Sequence, residues 1–140
     1  ITSLFSTIYT SIKAVKPNID FRYNNYLRYP ELAGLDYKAV APYLDSVRDS
    51  DYTEQRKVTD NFEYKRHTIN KIRRGIGFDK PVLAAFAVRP NATPQILRDS
   101  IGTLAQVGVD GFSLGHYDGS TKPLLRAVKE AMEEYDIQLK

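Results

Sequence analysis

Gly108-Val109-Asp110-Gly111-Phe112-Ser113-Leu114-Gly115-His116-Tyr117-Asp118-Gly119 is the stretch from which the rest of the chain is understood. Its apolar middle, Phe112 and Leu114, predicts a buried strand, and the flanking glycines permit tight turns in and out of it. Polar residues gather after that strand, and a helix follows from about Ser120 to the C-terminus. This is the plan of a β/α unit, in which binding groups collect beyond the strand's C-terminal end.

The same plan repeats toward the N-terminus. Val82-Leu83-Ala84-Ala85-Phe86-Ala87-Val88 is a continuous apolar run, as expected of a parallel strand covered on both faces. Between it and Gly108 lies a helix capped by Thr93 with Pro94 at its first position, lined by Leu97, Ile101, Leu104 and Ala105. An earlier helix is expected from about Phe62 to Arg74, with Phe62, Ile69 and Ile72 in the core and Gly75 as its stop. Ser46 to Glu54 is poor in strand formers, yet its place between two helical segments predicts a short strand. Asp36 to Leu44 reads as a short helix interrupted near Pro42, and Tyr26 to Gly34 as an irregular loop. Ile19 to Asn25 is expected to be a strand whose C-terminal end turns polar. The opening helix, from about Thr2 to Val15, carries Leu4, Phe5, Ile8, Ile12 and Val15 on one apolar face and stops before Pro17. The closing helix buries Leu124, Leu125, Val128, Met132 and Tyr135.

Strands alternating with helices predict an α/β fold with parallel pairing and right-handed crossovers. A flavodoxin-like open parallel sheet fits that order. A barrel fits it better, because the opening helix has no strand before it and every strand-to-helix loop is polar. At 140 residues the chain is short of the roughly 250 that a complete (β/α)8 barrel typically takes. It starts Ile1-Thr2-Ser3-Leu4-Phe5, without Met and with the look of a helix interior, so it is expected to begin partway through a larger fold.

Composition narrows the function classes. The 20 Lys and Arg barely exceed the 17 Asp and Glu, and they are dispersed apart from Lys71-Ile72-Arg73-Arg74. That run falls at a helix C-terminus, where cations complement the dipole and face solvent, so no nucleic-acid partner is expected. The absence of cysteine excludes disulfides and thiolate metal sites. No apolar run is long enough for a bilayer, and no membrane association is expected. Nothing in the sequence indicates a cellular compartment.

Three stretches together resemble (β/α)8 glycoside hydrolases. They are the helix ending Ser11-Ile12-Lys13-Ala14-Val15-Lys16-Pro17 and running into a strand, Tyr43-Leu44-Asp45-Ser46-Val47 leading to Asp51-Tyr52-Thr53-Glu54, and Thr93-Pro94-Gln95-Ile96-Leu97-Arg98 followed by Gly108 to Leu114 and His116-Tyr117. The resemblance is architectural and covers nearly the whole chain. It implies that residues 1–140 are the C-terminal half of one TIM-barrel domain, its last four β/α units, with the N-terminal half absent from this chain. It implies carbohydrate as the ligand, hydrolysis by carboxylate acid/base chemistry, and no cofactor. The partner it implies is an N-terminal half on another polypeptide, or a second copy in a homodimer. Two family positions are not matched. The general acid that commonly follows strand four would precede Ile1, and Val88-Arg89-Pro90 stands where one large group has a nucleophilic Glu.

Glycoside cleavage needs a carboxylic acid for the leaving oxygen and a carboxylate near the anomeric carbon, about 5 Å apart in retaining enzymes. The resemblance implies that the acid can come from strand six, as in another group of these enzymes, and Asp49, Asp51 and Glu54 are the carboxylates placed for that, with Glu54 and Asp51 as the catalytic candidates. In a straight strand these two would point to opposite faces, and solvated loop charges would look the same. His116 and Asp118 share strand parity, so both would point one way at a barrel mouth. Arg22, Tyr23, Asn24 and Asn25 at one strand end, Arg89 at another, and the rings of Tyr52 and Tyr117 suit sugar hydroxyls and ring faces. Each of the tyrosines has packing as an alternative use. His67 lies far from His116 in a helix, so no metal site is expected. Two other functions stay open. Gly115 to Thr121 leads into a helix N-terminus and could cradle the phosphate of a flavin or sugar phosphate, although Arg89-Pro90-Asn91-Ala92 is no glycine-rich loop. A non-catalytic barrel that only binds sugar or protein would also fit.

Overall fold

The computed structural model describes residues 1–26, 29–50, 61–87, 92–115 and 122–135. Their order is α1 (Thr2–Val15), β1 (Arg22–Asn25), a 3-10 turn (Pro30–Ala33), α2 (Tyr37–Val40), a second 3-10 turn (Ala41–Tyr43), β2 (Ser46–Asp49), α3 (Asn61–Ile76), β3 (Val82–Ala87), α4 (Pro94–Gln106), β4 (Gly111–Gly115) and α5 (Lys122–Glu134). The four strands form one parallel sheet in the order β1-β2-β3-β4, with β1 and β4 at its edges. Helices touch in chain order, α1 to α2, α2 to α3, α3 to α4 and α4 to α5. Right-handed crossovers between consecutive neighbours put every connecting helix on the same side.

Register separates the two faces of the sheet. Tyr23, Val47 and Val82 align, as do Asn25, Asp49, Ala84 and Phe112, and this face meets the helices. The ring of Tyr23 lies edge-on to Phe5 of α1 and Tyr37 of α2, and Val47, Val82 and Ala84 are fully buried. The core continues through Ile69, Ile72, Leu97, Ile101, Leu104, Val128 and Met132. The other face carries Arg22, Asn24, Ser46, Arg48, Leu83, Ala85, Gly111 and Ser113. Arg22 and Asn24 are exposed, and Arg48, Leu83 and Ser113 are half-buried.

Local signals account for several elements. The Thr93 hydroxyl accepts the Ile96 N–H at 3.2 Å, and Pro94 opens α4. Asp36 caps α2 by accepting the Lys38 N–H at 2.9 Å, and Pro42 falls in the 3-10 turn that continues it.

Gly75 and Tyr135 depart from expectation. Gly75 does not stop α3, which runs on to Ile76; Gly77, at φ 84°, ends it and donates to the Arg73 carbonyl at 2.9 Å. Gly75 is there for proximity, since a Cβ on it would lie 2.2 Å from the Tyr37 Cβ, so only glycine lets α2 seat against α3. The apolar face of α1 is not buried. Phe5 and Tyr9 pack on Phe21, but Leu4, Ile8 and Val15 remain 59%, 38% and 79% exposed. Tyr135 is likewise exposed, its ring lying over Gly102 of α4.

The basic run in α3 also differs from expectation. Arg74 is exposed and Lys71 pairs with Glu31, but Arg73 is only 4% exposed. Its guanidinium donates to the carbonyls of Gly77, Lys80 and Gly108 and pairs with Asp110. The same Asp110 carboxylate accepts the Val82 N–H at 2.7 Å, tying the starts of β3 and β4 together.

Candidate functional site

In a parallel α/β sheet the binding groups gather beyond the C-terminal strand ends, and here those ends are Asn25, Asp49, Ala87 and Gly115. Asn25 and Asp49 are both buried, and the Asn25 amide Nδ2 donates to Asp49 Oδ1 at 3.1 Å. The Ser50 N–H donates to the Asn25 carbonyl at 2.9 Å, and Arg48 Nη1 donates to Ser50 Oγ at 3.2 Å. A buried carboxylate is costly unless its oxygens are hydrogen-bonded, and the amide donor supplies one such bond, to Oδ1. The cluster fixes the ends of β1 and β2 against each other, directly before residue 51.

Tyr23 and Asn25 share the helix-side parity. Tyr23 is enclosed by the rings of Phe5 and Tyr37, and burial pushes its phenol pKa up, so it acts as a neutral hydroxyl. Arg22 stands elsewhere than expected. The strand starts at Arg22 instead of Ile19, which puts this guanidinium at the N-terminal end of β1. There Arg22 Nε donates to Ser46 Oγ at 3.0 Å, its Nη2 pairs with Asp20, and Ser46 Oγ donates to Asp20 Oδ1 at 2.7 Å. This triplet borders a cleft of about 290 Å³ whose lining includes Leu83, Asp110 and Phe112. The cleft is therefore at the end opposite the C-terminal strand ends.

Asp51, Tyr52, Glu54, Arg89, His116, Tyr117 and Asp118 lie outside the described residues. In sequence they directly follow β2, β3 and β4. Among the described residues the structure thus brings Asn25 to Asp49, packs the half-buried Tyr23 against the core, and sets Arg22 apart from both.

Lys65 was not anticipated. It is fully buried in α3, and its Nζ donates to the Ala85 carbonyl of β3 at 2.9 Å. The signal for it was present, because Lys65 shares the helical stripe of Ile69, Ile72 and Ile76, where a charge has to find buried partners. Among the described residues no group of three or more His, Asp or Glu could hold a metal ion, and no helix is long and apolar enough to cross a membrane. The chain matches no protein-family model, no curated protein and no solved structure.

Proposed function

We propose that the chain is the C-terminal half of a (β/α)8 barrel of glycoside-hydrolase type, binding carbohydrate and hydrolysing it by carboxylate acid/base chemistry once the barrel is complete. One observation carries the fold part of this reading. The four parallel strands follow each other in chain order without reversal, and the helices touch in the same order. A flavodoxin-like sheet reverses strand order at its switch point, whereas a barrel adds each strand to the same side. Four such units are half of eight.

The chemical part of the reading rests on sequence. Glu54 and Asp51 follow β2, the sixth strand in barrel order, and Arg89, His116, Tyr117 and Asp118 follow β3 and β4. In this assignment Glu54 serves as the acid or base, Asp51 assists, and the others with Tyr52 contact the sugar. The buried Asn25–Asp49 pair holds the strand end from which residues 51–54 depart.

The test is a glycan-array and aryl-glycoside screen of the purified protein beside Glu54→Gln. The expected result is a glycan class bound by both proteins, with any hydrolysis lost in the variant. Capture of a flavin or sugar phosphate without glycan binding would replace this reading by a phosphate-cradling barrel. Glycan binding with no hydrolysis, by wild type or variant, would reduce it to a sugar-binding relative.

A further inference from the structure

We infer that the cleft at the N-terminal strand ends is a binding site for one neutral, hydroxyl-rich molecule of monosaccharide size. This cleft stands apart from the proposed hydrolytic site, because it lies at the opposite end of the strands and every residue lining it belongs to this chain. It holds about 290 Å³, near the lower end of the roughly 300–1,000 Å³ of small-molecule sites. All four strands contribute. Arg22 and Ser46 are register partners, as are Leu83 and Gly111, and these four share the face of the sheet away from the helices. Asp20, Pro81 and Asp110 stand just before β1, β3 and β4. Gly111 keeps room between them. Its φ is not in the left-handed region, so the backbone does not require glycine there, but a Cβ would lie 3.3 Å from Leu83 Cδ2, between two residues of the lining.

The lining selects the chemistry of the ligand. Pro81, Leu83 and Phe112 are apolar, and a few polar groups are fixed among them, which is how small-molecule sites are built. Ser46 is only 3% exposed, and its hydroxyl accepts from Arg22 Nε at 3.0 Å and donates to Asp20 Oδ1 at 2.7 Å. A buried hydroxyl thus holds an exposed donor and an exposed acceptor in place. Both keep capacity for a ligand. Arg22 Nη1 donates to nothing among the described residues, and Asp20 uses two of a carboxylate's roughly four lone-pair sites, for Ser46 and Arg22. Asp110 Oδ1 is open too, since Arg73 and the Val82 N–H both go to Oδ2. Charge then separates ions from neutral molecules. Arg22 balances Asp20 and the buried Arg73 balances Asp110, so the cleft has no charge to spare. An anion would meet two carboxylates, and a cation would compete with guanidiniums already in place. A hydroxyl donates to a carboxylate and accepts from a guanidinium, so a polyol serves both kinds of group at once, with its C–H face against the apolar residues.

The test is an NMR titration of the whole chain, read by saturation transfer and by amide shifts. The probes are glucose, galactose, mannose and myo-inositol, with glucose 6-phosphate and glucosamine as charged counterparts. The expected result is saturable, millimolar binding of at least one neutral polyol, with shifts at the amides of Ser46, Leu83 and Gly111. The charged counterparts should bind about tenfold more weakly. Gly111→Ala sets a methyl beside Leu83, and Ser46→Ala releases Arg22 and Asp20. Each should weaken binding about tenfold, with the fold checked by circular dichroism. Glu54→Gln should bind as wild type does, which separates this site from the hydrolytic one. Failure of all four neutral polyols to bind, equal binding of a charged counterpart, or binding that both cleft variants retain overturns the inference. Binding lost in Glu54→Gln and kept in Gly111→Ala overturns it too, while supporting the hydrolytic site.

Discussion

The chain holds two versions of one arrangement, and they differ in how completely it is enclosed. In the N-terminal version, Asp45 precedes β2 and accepts the Phe21 N–H before β1 at 2.8 Å, while Lys13 from the last turn of α1 pairs with it at 2.7 Å. In the C-terminal version, Asp110 precedes β4 and accepts the Val82 N–H of β3, while Arg73 from the last turn of α3 pairs with it. Lys13 is 20% exposed and Arg73 only 4%. α1 buries no residue fully, whereas Ile69 and Ile72 of α3 are 0% exposed. Both helices carry an apolar stripe. The difference is that α3 has a helix on each side and strands on both sides of its groove, and α1 does not. Amphipathic spacing tells which face is apolar; a neighbour decides whether that face is buried.

The sharpest way to break the comparison is truncation of one apolar side chain in each helix. Ile72→Ala empties a fully enclosed site and should cost about 2–5 kcal/mol in urea unfolding. Leu4→Ala at micromolar dilution should stay within about 0.5 kcal/mol of wild type, because most of that side chain is already wet. A large cost for Leu4→Ala at the lowest concentrations would mean that α1 is buried within a single chain.

This contrast also marks what was legible in the residues. The bounds of α1, the Thr93 cap of α4 and the apolar β3 follow from spacing and capping rules that act within a few residues. The exposure of Leu4, the closeness of Gly75 to Tyr37, and the burial of Arg73 and Lys65 depend on which elements become neighbours, and local spacing does not encode that. At the candidate site the strand-like run from Ile19 to Asn25 suggested polar groups gathered at one end. A strand start three residues later sent Arg22 to the other end, and side-chain alternation turned Tyr23 and Asn25 toward the helices. Asp45 and Asp110 left a fainter mark, each standing one residue before its strand. Their reach to the neighbouring strand becomes visible only once the register is known.

A second test separates the two carboxylates themselves. Asp110→Asn leaves the Arg73 guanidinium buried among carbonyls without its counter-ion. Removing one partner of a buried pair costs about 3–5 kcal/mol. Asp110 is partly wet and Arg73 keeps three carbonyl partners, so a loss of about 2 kcal/mol is expected here. Arg73→Lys should recover little, because one ammonium cannot span the carbonyls of Gly77, Lys80 and Gly108 together. A loss as small as that of an exposed ion pair would show that the backbone ladder alone holds β3 and β4.

Asp45 should give the smallest effect and the clearest pH signature. Its partial burial pushes its pKa up, but the Lys13 ammonium, the Phe21 N–H and the Tyr9 hydroxyl together outweigh that and hold it below its ordinary 3.8. A carboxyl whose folded pKa is depressed stabilises the fold above its unfolded pKa, and that contribution fades as pH falls toward the folded value. Asp45→Asn should therefore be less stable than wild type by about 1 kcal/mol or less near neutral pH, the range of a partly exposed ion pair. Below about pH 4 the gap between the two proteins should narrow. Chemical denaturation of both proteins at several pH values between neutrality and acid reads this directly. If the gap stayed constant through the acid range, the charge of Asp45 would have no share in the junction, and neither Lys13 nor the Phe21 N–H would be favouring the carboxylate over the neutral acid.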